Sequence, residues 1–263
     1  MKKYRMPLLV AAIAIAILAV PVVASASHQW GKYKWNSPAP VTLTLGDNVS
    51  SIWDGHLGEA IADWNASTVL SLTSASGAAN NLADCVPAYG KIEICNYDYG
   101  NNGWLGTAQI WIARGKNIVK ANSRMNDHYF TSVSYYSSDA SNWRQYVMCQ
   151  EIGHDFGLGH QDEDFNNTPL GTCMDYTGNP LTEADLNPNT HDYDQLVSMY
   201  GGGDDEKDGG PPPGKGKPNF APLSGGNSEW GKAIGTDGNG RPNEFERDLG
   251  KGNKVITHVL WAN

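Results

Sequence analysis

The stretch from Gln150 to Tyr176 constrains this chain more than any other. It reads Gln150-Glu151-Ile152-Gly153-His154-Asp155-Phe156-Gly157-Leu158-Gly159-His160, and Met174 follows within Cys173-Met174-Asp175-Tyr176. Gln150 and His154 are four apart, so on a helix they lie about 40° from one another on one face. Glu151 sits beside them, near enough to bond a water held at that face. Gly157 lets the helix stop and the chain turn back, which brings His160 round to the same point. Two imidazoles, a carboxylate and a turning glycine converging there describe a transition-metal site with an adjacent general base. The donor types point to zinc.

The same residues resemble the metzincin metallopeptidases, whose motif H-E-x-x-H-x-x-G-x-x-H is followed by a methionine turn. Glu151, His154, Gly157, His160 and Met174 fall on that pattern at the family's spacing. Tyr176 resembles the tyrosine that astacins and serralysins place beside the metal. Gln150 stands where the family has its first histidine ligand. The resemblance implies Zn2+ held by His154 and His160, with Gln150 a weaker third ligand through its amide oxygen. It implies Glu151 as the catalytic proton shuttle, Met174 as an apolar floor, and Tyr176 as a catalytic partner of the metal or of an oxyanion. The implied fold class is α+β, a metzincin-like catalytic domain with a twisted, mostly parallel sheet, an active-site helix, a Met-turn and a C-terminal helix. The implied activity is that of a secreted zinc-dependent endopeptidase acting on a protein or peptide bound in extended form. The alternative is a catalytically impaired binding protein on the same scaffold, since a neutral amide replaces a good nitrogen donor.

The N-terminus carries Lys2, Lys3 and Arg5, an apolar run from Leu8 to Val20, and Ala24-Ser25-Ala26. A basic start, a short apolar stretch and a small-residue site make residues 1–26 a secretory signal peptide, so the protein is expected outside the cell and off the membrane after cleavage. Cleavage removes three bases and no acid, leaving 16 basic residues against 28 acidic ones, a net charge of −12. That balance argues against nucleic acid and anionic membranes as partners. All 4 cysteines lie in the exported part, so two disulfides are expected. Of the three possible pairings, Cys85–Cys95 with Cys149–Cys173 closes two short local loops. The rival role for Cys149 is that of a thiolate ligand.

Val41–Leu45, Val69–Thr73, Lys91–Cys95, Ala108–Ala113 and Ile118–Ser123 read as strands, with Arg114 to Asn117 turning between the last two. Ile52, Trp53, Leu57, Ala60, Ile61 and Trp64 are spaced for one face of a helix. Ser141 or Asn142 is the expected cap of the helix that carries the motif, and Asn189 or Thr190 that of a final helix ending at Tyr200. This order over about Trp35 to Tyr200 is also that of matrixin catalytic domains. By that analogy the Gly103–Ile112 region is the candidate for gripping an extended peptide, against the plainer reading of an ordinary edge strand. Asp98, Asn101 and Asn102, with Gly100 and Gly103, make a candidate Ca2+ loop of the kind matrixins have, or else a polar turn. His56, His128, His191 and His258 are scattered and read as surface or hydrogen-bonded residues. His128 and His191 are the reserves for a third ligand if the fold carries either to the site.

The domain organisation that follows is a signal peptide (1–26), a metzincin-like catalytic domain (27–200), a Gly/Pro-rich linker (201–218) and a small β-rich C-terminal extension (219–263). Within the extension, Val255-Ile256-Thr257-His258-Val259-Leu260-Trp261 is strand-like and argues against disorder. The protein is expected to be a monomer.

Overall fold

The computed structural model describes residues 27–180, 182–202 and 230–262. The expected signal peptide, most of the expected linker and the first part of the expected C-terminal extension lie outside the described residues. Among the described residues no helix is long and apolar enough to cross a membrane.

The apolar patterns become elements in chain order. A two-residue strand β1 (Lys34–Trp35) is followed by β2 (Val41–Asn48), helix α1 (Asp54–Trp64), β3 (Leu70–Ser76), β4 (Ile92–Tyr97), β5 (Trp104–Ala113) and β6 (Asn117–Asn126). Short helices α2 (Asp127–Ser132) and α3 (Ser134–Ser137) lead into the long α4 (Ala140–Asp155). A 3-10 turn over Glu183–Leu186 precedes α5 (Thr190–Tyr200). The C-terminal extension is three strands, β7 (Lys232–Thr236), β8 (Pro242–Gly250) and β9 (Asn253–Trp261). The β8–β9 hairpin turns at Lys251 and Gly252, both at positive φ, as the favoured two-residue hairpin turn requires.

The nine strands among the described residues form one sheet in the order β3-β2-β4-β6-β5-β9-β8-β7, with β1 pairing beside β6. The sheet is mixed rather than mostly parallel. β2, β3, β4, β6 and β1 pair in parallel, whereas β5, β9, β8 and β7 join by antiparallel pairings. β5 and β6 are buried along their whole lengths, although β6 carries Lys120, Asn122, Ser123 and Arg124 among its buried residues. On one face α4 packs over β5 and β6, with α1 alongside it. Leu105, Ile110, Ile112, Ile256 and Leu260 from the sheet meet Val147, Ile152, Trp64 and Phe156 there. On the other face Trp104 packs with Trp230, Val259 and Trp261.

Two local expectations are corrected. α4 starts at Ala140, one residue before the caps expected at Ser141 or Asn142, and Asp139 at its N-cap makes no side-chain cap bond. Asn142 donates to the Asp139 carboxylate instead, at 3.1 Å. β5 is not an edge strand, because β9 lies along its outer side from Trp104 to Ile112. α5, by contrast, is capped by Asn189, whose side chain accepts from the N–H groups of His191 and Asp192.

Candidate metal centre

The last two turns of α4 carry Gln150, Glu151 and His154, all buried. The helix ends at Asp155, and Gly157 takes φ +89, the left-handed region that lets the chain reverse. Its N–H donates to the His154 carbonyl at 2.9 Å, and a side chain there would collide with the Tyr33 backbone. The reversal delivers His160 opposite His154, with ring centroids 4.7 Å apart. Cys149 and Cys173 are bridged, as are Cys85 and Cys95. The first bridge ties α4 to the turn containing Met174, and it removes Cys149 from consideration as a thiolate ligand.

The third imidazole comes from a place the sequence reading passed over. His154, His160 and His258 each offer one ring nitrogen, those atoms lying within 4.8 Å of one another. His258 sits in the middle of β9, opposite Ala108 of β5, and is completely buried. The reserves lie elsewhere: His128 approaches Asp98 at 3.7 Å, and His191 stacks with His28. His56 bonds Gln145 at 3.0 Å. A signal for His258 was present in the alternation of β9, where Ile256, His258 and Leu260 share a face. An ionisable residue on a face otherwise bound for the core needs a partner.

The two motif histidines are prepared as ligands. His154 Nδ1 is tied to the Leu158 carbonyl and His160 Nδ1 to the Glu163 carboxylate, each at 2.8 Å. Both Nε2 atoms are buried without a hydrogen-bond partner, and so is Gln150 Oε1. Fixing one ring nitrogen by an acceptor and leaving the other bare is the arrangement metal-bound histidines show. Burial pushes the His154 and His160 imidazoles down from their usual range, and holds His258 at about 3. All three are therefore neutral, the form that ligates. The residues fit a zinc ion.

Gln150 uses its amide nitrogen structurally. Nε2 donates to the Cys173 carbonyl at 2.8 Å and to the Tyr146 hydroxyl at 3.1 Å, which points the bare Oε1 the other way. Glu151 is raised well above the usual carboxylate range by burial, against the pull of His160 and Arg124. Its Oε2 meets His258 Nδ1 at 3.2 Å, while Oε1 has no partner. Tyr176 bonds His258 Nε2 at 2.9 Å through its hydroxyl and accepts there from Asn243 at 2.9 Å. Its ring stacks on Phe165. Met174 lies under α4 at Gly153. Asn243 and Glu163, which the sequence did not single out, thus position Tyr176 and His160.

In the candidate calcium loop, side-chain oxygens accept bonds from protein groups. The Asp98 carboxylate accepts from the Gly100 N–H, Asn101 from the Tyr129 hydroxyl and Asn102 from Asn126.

No family model matches the chain, and no curated protein matches it. Among solved structures, myroilysin aligns with a TM-score of 0.37 and 10% identity, over 65% of this chain and 97% of its own. High choriolytic enzyme 1, a hatching enzyme zinc-protease from the medaka fish Oryzias latipes, aligns with a TM-score of 0.34 and 13% identity, over 64% of this chain and 94% of its own.

Proposed function

We propose that this protein is a secreted, zinc-dependent peptide hydrolase. The observation that carries the reading is the meeting of three buried imidazoles, two with bare Nε2 atoms, beside the buried Glu151 carboxylate. Gln150 Oε1, His154, His160 and His258 are the donors available to the ion. Bound zinc supplies Lewis acidity toward a water and a carbonyl oxygen. Glu151 accepts the water's proton as its oxygen bonds to the scissile carbon, and returns it to the amine as the C–N bond breaks. Burial raises the basicity of this carboxylate, which favours its taking a proton from water. Tyr176, held by Asn243, donates its hydroxyl hydrogen to the developing oxyanion. The two disulfides and the signal-like N-terminus support export. The calcium loop carries no function in this reading.

A second reading, a binding protein without turnover, is favoured by one observation: His258 engages both Glu151 and Tyr176. Metal analysis after purification without added zinc tests the primary reading, together with the Glu151→Ala variant. One zinc per chain is expected, retained in Glu151→Ala while peptide hydrolysis disappears. A chain without zinc, or an unchanged turnover in Glu151→Ala, would overturn it.

A further inference from the structure

β5 is the strand expected to grip an extended peptide, and in this chain it is already gripped. β9 runs antiparallel to it from the pair Trp104–Trp261 to the pair Ile112–Lys254. The pairing is not a bare backbone contact. Ile256 and Leu260 enter the main core beneath α4, and Val259 and Trp261 pack with Trp104 on the opposite face. Gln109 of β5 donates to the Thr257 hydroxyl at 2.9 Å. In backbone pairing and in the insertion of alternate side chains, β9 does what a bound peptide does when it adds a strand to a sheet.

His258 marks where such a peptide would be cut. Its two ring nitrogens bridge the Glu151 carboxylate and the Tyr176 hydroxyl, the groups to which hydrolysis assigns the water and the oxyanion. The remaining donors are Gln150 Oε1, His154 Nε2 and His160 Nε2, three buried atoms with no other partner. Three protein donors plus one open position characterise catalytic zinc, whereas four protein donors characterise a closed structural site. His258 offers the fourth: one of its ring nitrogens lies within 4.8 Å of the His154 and His160 donor atoms, and to ligate it would give up its bond to Glu151 or Tyr176.

Resting on the reading of the site as a zinc-dependent peptide hydrolase, we propose that β9 is a resident occupant of the substrate position. His258 closes the coordination place that water must take, and turnover requires β9 to leave β5. Release would expose an opening shaped for an extended peptide with aliphatic side chains two residues before and two residues after the reacting position, as Ile256 and Leu260 stand around His258. Gln150, the weaker amide donor, then completes the open site.

The test uses the full chain loaded with cobalt(II) and acetohydroxamate as a small chelating probe. The wild-type visible spectrum should not respond to the probe. His258→Ala should keep one metal per chain, bind acetohydroxamate at least tenfold more tightly and cleave an extended fluorogenic peptide faster. Loss of the metal in His258→Ala would make His258 an indispensable ligand and overturn the proposal. So would a wild-type site that takes the probe as readily, or a loaded variant that still excludes it. Because a buried substitution can compromise folding, hydrogen exchange on the wild type supplies an independent arm. The β9 amides should exchange ahead of those in β4, β6 and α4, and exchange only with global unfolding would refute release. A wild type that binds neither zinc nor cobalt would remove the hydrolase reading instead, leaving the exchange result to decide the mobility of β9.

Discussion

Replacing Gln150 by alanine separates two duties that one side chain combines. In metal-free protein the amide nitrogen holds the Cys173 carbonyl and the Tyr146 hydroxyl, in a fully buried position. Two such bonds contribute roughly 1 kcal/mol each, and the stranded Cys173 carbonyl adds about 1 kcal/mol more. Tyr146 is spared that penalty because its hydroxyl still donates to the Asp175 carbonyl at 2.7 Å. Removing the orphaned Oε1 relieves about 1 kcal/mol of desolvation, which the cavity left behind roughly cancels. The expected net loss is therefore about 3 kcal/mol, or roughly 6–12 °C in Tm for a domain of this size.

Zinc changes the comparison. If Oε1 coordinates, the stability gap between wild type and Gln150→Ala must widen when zinc is saturating, by about 1.4 kcal/mol for each tenfold difference in affinity. Urea denaturation of both proteins, metal-free and at saturating zinc, measures both quantities. Gln150→His offers a better donor at the same position and should raise zinc affinity by tenfold or more, while losing the amide bonds in the metal-free form. A metal-free Gln150→Ala as stable as wild type would refute the structural duty. Equal gaps with and without zinc would show that residue 150 does not touch the ion.

Two further outcomes are expected away from the donors themselves. Gly153→Ala would place a Cβ 2.5 Å from Met174 Sδ and 2.8 Å from the Trp64 ring, so it should destabilise by about 1–3 kcal/mol despite alanine's better helix propensity, and an equal or higher Tm would refute the close packing. The Asp63 carboxyl is pushed up to about 6 by burial, with Glu59 and Glu183 adding to the effect. A raised acid binds its proton more tightly in the folded chain, so its contribution is present below about pH 4 and lost as pH rises through about 6. Asp63→Asn should accordingly gain Tm over wild type at pH 8 and not at pH 4, and a gain that is the same at both would refute it.

What the sequence made legible is what its local periodicities encode. β2, β3, β4, β5, β6, α1 and α5 follow from apolar spacing within a single element, and the Asn189 cap follows from its place before Asp192. The convergence of His154 and His160 was legible too, because a helix, a left-handed glycine and a short return are all local geometry. α2 and α3 escaped because four to six residues give no period to read. The outer partner of β5 escaped for a different reason. β9 was recognisable as a strand, but nothing in Val255–Trp261 says which edge it will join, and its neighbour lies about 150 residues earlier in the chain. Pairing over that distance is decided by complementary faces that exist only once the sheet is assembled.

His258 shows how two departures from a pattern constrain one another. Taken alone, Gln150 is a weakened metal position, and taken alone, His258 is an imidazole on an apolar strand face. Each is costly in isolation: a bare amide oxygen and an ionisable ring are both buried at 0% exposure. A single zinc ion would satisfy Gln150 Oε1 and the Nε2 atoms of His154 and His160, and would take one ring nitrogen of His258 from its present partner, Glu151 or Tyr176. The same four donors also explain why Glu151 remains although β9 covers it. A scaffold that kept zinc only for structure could use Glu151 Oε2 to orient His258, yet would gain nothing from leaving Oε1 buried and unbonded. Oε1 finds a use when His258 is withdrawn and water takes its place, so the unsatisfied carboxylate oxygen argues for a strand that opens rather than one that seals.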